Sequence, residues 1–264
     1  MTGSLPFDQH CTAITYAAER LSGAATTAGL AAAAPTCPGW TVRDLVAHLG
    51  MVHRWATAHV TGDRAAQLEA ATVEAEAQAR QSEDPVGWLR SGADRLVSAL
   101  RAAPADLEAF VFLKDAPAPR DFWARRQCHE TTIHAVDALS AALGRVPTGE
   151  EAAAAGVSTA LALDGLDELL TGFLPRRSSR LRSERPLRIA VRPGDAEPAW
   201  LVSAGADPPV TTRHTSSSLP QGDATFSGSA VQLYLGLWNR GDELVSDDAA
   251  VLQRWREQVR VNWR

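Results

Sequence analysis

Apolar residues recur at helical spacing through most of the first half of the chain. Residues from about Phe7 to Leu30 contain few breakers, and the run closes near Gly29. Pro38 and Gly39 mark a turn. Thr41 then stands as a good N-cap with Asp44 three residues on, close to a capping box with aspartate in place of glutamate. From there Val42, Leu45, Val46, Leu49, Val52 and Trp55 line one helical face. A second amphipathic run covers Pro85 to Arg101, with Trp88, Leu89, Leu96, Val97 and Leu100 as its apolar stripe. Pro104, Pro117 and Pro119 bracket a loop, and a further helix runs from about Phe122 to Leu143. The stretch from Arg64 to Gln81 is rich in alanine and glutamate with little large apolar content, so it reads as an exposed extra helix. Four main helices joined by loops predict a bundle.

The pattern changes at Gly144-Arg-Val-Pro-Thr-Gly149, a linker by composition. One helix is expected from about Glu150 to Phe173. Short strand-like runs follow at Leu187–Val191, Ala199–Val202, Val210–Arg213 and Ala224–Phe226, separated by Pro, Gly and Asp. Helices are expected again over Ser229–Trp238 and from about Asp248 to Val259. The fold class is therefore α+β: a four-helix bundle over 1–145, then a small α+β domain over 150–264 that closes over the site of the first.

Composition narrows the possible functions. Apolar residues make up 45% of the chain and charged residues 22%, which argues against disorder. The formal net charge is −5, so nothing suggests the basic face of a nucleic-acid binder. No apolar run is long enough to span a bilayer, and the first residues lack the basic start and apolar core of a signal peptide. Cys11, Cys37 and Cys128 are too few and too scattered for a disulfide framework. A cytoplasmic protein is expected, working as a monomer with higher oligomers left open. All 26 basic residues except Lys114 are arginine, and alanine is abundant. That is coding bias toward GC-rich codons, so arginine abundance by itself says nothing about anion binding.

The candidate chemistry lies in the helix after Phe122. In Cys128-His-Glu-Thr-Thr-Ile-His134 the two histidines are five apart, which excludes the HExxH metalloprotease pattern. Glu130 and His134 are four apart and share a face. Arg126 lies one turn before and Asp137 about one turn after, on the same face. Glu130 and His134 supply an oxygen and a nitrogen donor for a divalent metal, and His48 is the best third ligand, on a helix whose neighbours Leu45, Leu49 and Val52 are core-like. His59 points nearly the same way as His48 but lies about three turns further on, too far to share one ion. His53 points elsewhere. Spacing alone leaves a second reading open, a solvated face of ordinary i,i+4 pairs among Arg126, Glu130 and His134. Cys37, beside Pro38 in a turn, and Cys128 are read as structural. The arginines between Arg176 and Arg185 are read as a solvated loop.

The stretch Pro35-Thr-Cys-Pro-Gly-Trp-Thr-Val-Arg-Asp-Leu-Val-Ala-His48-Leu, followed by Trp123-Ala-Arg-Arg-Gln-Cys-His-Glu130-Thr-Thr-Ile-His134-Ala-Val-Asp137, resembles the mycothiol-dependent maleylpyruvate isomerase family. That family belongs to the DinB-like superfamily of four-helix metalloproteins. Leu235-Gly-Leu-Trp-Asn-Arg240 and the terminal helix extend the resemblance to the end of the chain. The paired motifs are fairly specific for the superfamily and much less so for one substrate.

The resemblance implies that His48, Glu130 and His134 hold zinc, that Arg126 and Asp137 orient those ligands, and that Arg240 holds the thiol cofactor or an anionic substrate. It implies zinc and mycothiol as cofactors and small molecules as partners, with no nucleic acid and no membrane. The implied reaction is cis–trans isomerisation by thiolate addition and elimination. A mycothiol S-transferase acting on an electrophile needs the same apparatus. A non-enzymatic zinc-binding regulator is a third possibility, which the length of the second half disfavours.

Overall fold

The computed structural model describes residues 4–113 and 116–260, which divide into two compact units. One comprises Pro6–Phe112 with Ala116–Pro147, and the other is built mainly from Thr148 onward.

The first unit contains α1 (Phe7–Ala28), α2 (Val42–Thr61), α3 (Glu69–Gln81), α4 (Pro85–Ala102) and α5 (Pro119–Leu143). Helix α2 starts at the expected capping box: the Thr41 side chain accepts from the Asp44 amide, and the Asp44 carboxylate accepts from the Thr41 amide. Helix α4 starts with Asp84 capping the Gly87 amide and a proline in its first turn. Helices α2 and α5 end on Gly62 and Gly144, both left-handed, a conformation that glycine adopts without the Cβ clash other residues meet.

Helix α1 packs chiefly against α5, and α2 against α4. The core between them holds Leu21, Leu45, Val46, Leu49, Leu89 and Ala138. Gly50 lets α2 and α4 approach, because a Cβ there would run into the Trp88 ring. Arg54 seals that contact. Its guanidinium lies 3.4 Å from the Trp88 ring centroid and donates to the Gly50 and Trp88 carbonyls. Helix α3 has Ala79 as its one buried residue among those described, and it lies against α2 as an appended helix.

The second unit opens with α6 (Gly149–Ala154) and α7 (Thr159–Asp167), and α7 runs on into a π-helical segment, Glu168–Phe173. The sequence predicts one helix from Glu150 to Phe173, and the chain instead breaks it. Gly156 takes φ +109°, and Ser158 caps a new start by accepting from the Leu161 amide. The strands are β1 (Leu187–Pro193), β2 (Ala199–Ala204), β3 (Val210–His214) and β4 (Ala224–Gly228), then α8 (Ala230–Leu237), β5 (Val245–Ser246) and α9 (Ala249–Gln258).

They form a mixed sheet in the order β3-β2-β1-β4-β5. Strand β1 pairs antiparallel with β2 (Ile189 opposite Val202) and parallel with β4 (Val191 opposite Phe226). Strand β3 is a mostly exposed edge, tied down where the Arg213 guanidinium donates to Asp167 at 2.8 Å. The two-residue strand β5 lies outside every expected strand. It is too short to carry a periodic signal, and pairing with β4 creates it. The architecture is thus a helical bundle unit and a small mixed-sheet unit with helices, an α+β fold.

Candidate metal centre

Two helices and one loop of the bundle unit build the site. Helix α2 contributes His48, and α5 contributes Arg126, Glu130, His134 and Asp137 from one face. The loop between α1 and α2 contributes Thr36 and Trp40. His48, Arg126, His134, Asp137 and Thr36 are all buried, and Glu130 is partly so. The helical register explains the stack on α5: positions 126, 130, 134 and 137 fall on successive turns of one stripe.

His134 Nε2 lies 3.3 Å from Glu130 Oε1, and His48 Nε2 lies 3.8 Å from the same oxygen. Donor atoms of the three residues all lie within 4.8 Å of one another. Ligand atoms ~2.0–2.1 Å from a tetrahedral zinc stand about 3.3 Å apart, so this spacing suits three donors facing one point. The other Glu130 oxygen accepts from Arg126 at 2.8 Å, which leaves Oε1 for an ion. His134 Nδ1 is held 2.9 Å from Asp137 Oδ2, the outer partner that turns Nε2 toward the donor cluster. The donor set therefore fits a divalent metal of the zinc type: two imidazoles, one carboxylate, and a fixed ring orientation.

The same contacts set the electrostatics of these groups. Burial alone would raise the Glu130 carboxyl, but contacts from His134 and His48 and the Arg126 charge hold it well below the usual carboxylate range. Burial alone would lower the His134 imidazole, but Asp137 and Glu130 push it up to about 9.

Of the residues singled out by sequence, the structure brings together His48, Arg126, Glu130, His134 and Asp137. Arg240 lies in the other unit, just past α8, where its amide donates to the Leu235 carbonyl and its guanidinium to the Trp238 carbonyl. His53 is buried against Thr131, and His59 stacks on Trp123 with ring centroids 5.0 Å apart. Cys128 is a fully buried core residue.

Two residues near the site escaped the sequence reading. Thr36 Oγ1 lies 2.6 Å from Asp137 Oδ1. Trp40 lies parallel to the His134 ring at 6.3 Å and edge-on to His48 at 5.0 Å. Both belong to the quoted Pro35–Trp40 stretch, but no periodicity links a loop residue to a helix 101 positions on.

The model of the mycothiol maleylpyruvate isomerase N-terminal domain matches residues 11–139, and that of the family's C-terminal domain matches residues 160–254. The chain belongs to the mycothiol-dependent maleylpyruvate isomerase family. A crystal structure of the mycothiol-dependent maleylpyruvate isomerase is similar over 92% of this chain and 93% of that one, with a TM-score of 0.63 and 16% identity. A histidine-to-alanine mutant of a mycothiol-dependent maleylpyruvate isomerase matches over the same shares, with a TM-score of 0.62 and 15% identity. At such identity these structures share the fold alone. No curated protein sequence matches the chain. Among the described residues, no helix is long and apolar enough to cross a membrane.

Proposed function

We propose that the chain is a zinc enzyme that activates mycothiol to isomerise maleylpyruvate or a similar cis-unsaturated dicarboxylate. The observation that carries this reading is the convergence of His48 Nε2, Glu130 Oε1 and His134 Nε2, with Asp137 fixing the far side of His134, in a member of this family. His48, Glu130 and His134 would hold the ion. Zinc held there would lower the pKa of a thiol, so that thiolate would be available at neutral pH.

The protein's own groups do the rest. Arg126 neutralises the second Glu130 oxygen and keeps that carboxylate from rotating. Asp137 accepts from His134 Nδ1 and keeps its other nitrogen turned outward. Trp40, half-buried against both histidine rings, keeps an apolar wall beside them and limits the water that reaches them. Arg240 is proposed to hold a carboxylate of the substrate or of the thiol cofactor, an assignment supported by its family-like sequence position. In the reaction the thiolate adds to the cis double bond, the new single bond rotates, and expulsion of the thiolate leaves the trans isomer.

Purified protein with zinc, mycothiol and maleylpyruvate tests this. The expected product is the trans isomer, with thiol recovered unchanged, in an activity that a chelator abolishes. Arg240→Ala is expected to raise KM for the anionic partner and to leave zinc content intact. A product that retains the thiol would assign S-transfer instead. A zinc-free protein of full activity would overturn the metal reading.

A further inference from the structure

A ligating imidazole works only if the correct nitrogen faces the ion, and here that duty falls on Asp137. An aspartate side chain has two equivalent oxygens and a soft terminal torsion, so His134 alone does not fix which oxygen it meets, or at what angle. The other oxygen is held from outside both ligand-bearing helices. Thr36, in the loop before α2, places Oγ1 2.6 Å from Asp137 Oδ1 and 2.9 Å from Ser140 Oγ. Ser140 Oγ in turn donates to the Asp137 backbone carbonyl at 2.7 Å.

Proton accounting gives this chain a direction. An ionised carboxylate only accepts, so the single Thr36 hydroxyl proton goes to Asp137. The Thr36–Ser140 contact must then be served by the Ser140 proton, shared with the Asp137 carbonyl. Ser140 thus donates to Thr36, Thr36 to Asp137 Oδ1, and His134 Nδ1–H to Asp137 Oδ2. Thr36, Asp137 and Ser140 are buried at 7%, 0% and 0% exposure, so bulk water is poorly placed to replace a lost donor.

The loop that carries Thr36 is itself fixed. Ala33 and Thr41 form an isolated bridge, the Ala34 amide donates to the Trp40 carbonyl at 3.0 Å, and the Trp40 amide donates to the Cys37 carbonyl at 3.1 Å. The same loop leads directly into α2, which bears His48.

We infer that Thr36 is a positioning residue for the metal centre: its hydroxyl locks the Asp137 carboxylate so that His134 offers Nε2 to the ion. This rests on the metal reading above. The test compares Thr36→Val and Thr36→Ser with wild type in three readouts: zinc affinity by chelator competition, the His134 Nδ1–H signal of the metal-free protein by NMR, and the melting temperature of the metal-free protein.

Loss of an outer partner of a metal ligand typically costs 10- to 100-fold in affinity, and Thr36 acts one bond further out, so about 10-fold weaker zinc binding is expected for Thr36→Val. The Nδ1–H signal should shift or broaden in the same variant, and Thr36→Ser should restore both. In an Asp137→Ala background Thr36→Val should add no further loss of affinity. A folded Thr36→Val with wild-type zinc affinity and an unchanged Nδ1–H signal overturns the inference and leaves Thr36 a mere loop anchor, even if its melting temperature falls. Wild-type protein that fails to bind zinc overturns the metal reading instead. The Nδ1–H comparison then still decides whether Thr36 governs the His134–Asp137 pair.

Discussion

His48 and His59 lie on the same stripe of α2, eleven residues apart, and they meet opposite surroundings. His48 faces Glu130 and His134 of α5. His59 stacks on Trp123 of the same helix and touches the rings of Trp55 and Phe110. Trp123 precedes Glu130 by seven residues, two helical turns, so moving up α2 moves down α5 from a polar seam to an aromatic one. Burial lowers the His59 imidazole, whereas Asp137 and Glu130 more than offset burial at His134. A histidine on a core-facing helix joins a polar donor cluster or an aromatic stack according to what stands opposite, and the opposite helix decides.

The sharpest way to break that contrast is to remove each histidine in turn. His48→Ala or His134→Ala should reduce zinc from about one ion per chain to nearly none, because two protein donors seldom hold zinc where three are needed. His59→Ala should keep its full complement. Elemental analysis after desalting reads the difference directly. Full occupancy in both His48→Ala and His134→Ala would dissolve the distinction.

The aromatic end should matter for stability instead. Trp123 is fully buried, packs edge-on to Trp55 and Phe122, and donates its indole N–H to the Phe110 carbonyl at 3.0 Å. Trp123→Ala should cost about 3–5 kcal/mol in denaturant unfolding. Zinc affinity of the folded variant should stay near wild type. A large loss of zinc affinity would mean that the two ends of the seam are coupled.

A third histidine of α2 shows the dry limit between these ends. His53 is fully buried, and its Nε2 lies 2.9 Å from Thr131 Oγ1. Thr131 spends its own proton on the Gln127 carbonyl, so His53 donates from Nε2 and Nδ1 is left as a buried lone pair without a hydrogen-bond partner. Burial pushes its pKa down to about 3 against an ordinary value of 6.5. Between those values the unfolded chain holds a proton that the folded chain refuses. Stability from this group is therefore complete above pH 6.5 and declines as pH falls toward 3. The slope approaches about 1.4 kcal/mol per pH unit, or about 2 kcal/mol lost by pH 5. His53→Leu should flatten that part of the unfolding profile, and an unchanged acid limb would disprove the assignment.

Much of this was legible in the sequence. The stripe Leu45, Leu49, Val52 placed His48 toward the core, and the four-residue spacing put Glu130 and His134 on one face. Helical periodicity is a local property, so α1, α2, α4 and α5 could be read directly. The break at Gly156 was missed because alanine and leucine on either side keep helical propensity high while one glycine conformation ends the helix. Thr36 and Trp40 were missed because their roles depend on contacts with α2 and α5 that only the folded bundle creates. The aromatic fate of His59 was hidden for the same reason. Spacing ruled it out as a partner of His48 but did not reveal Trp123 beside it.

The smallest effect tests whether the polar end of α2 is held from its own terminus. Thr41 and Asp44 cap that end reciprocally, with the Thr41 amide 2.8 Å from Asp44 Oδ2 and the Asp44 amide 3.3 Å from Thr41 Oγ1. Asp44 also pairs with Arg80 at the end of α3, which ties the appended helix to the same turn. Thr41→Ala removes one acceptor from the first turn and should cost about 1 kcal/mol of stability, most of it recovered by Thr41→Ser. Amide exchange should rise for the first turn of α2 and stay unchanged near His59, where Gly62 ends the helix. His48 lies two turns inside the cap, so zinc affinity should hold within roughly twofold, since orphaned helix-end groups are confined to the first turn. A tenfold loss of zinc affinity in Thr41→Ala would mean that the cap, and not the partners on α5, sets the position of His48.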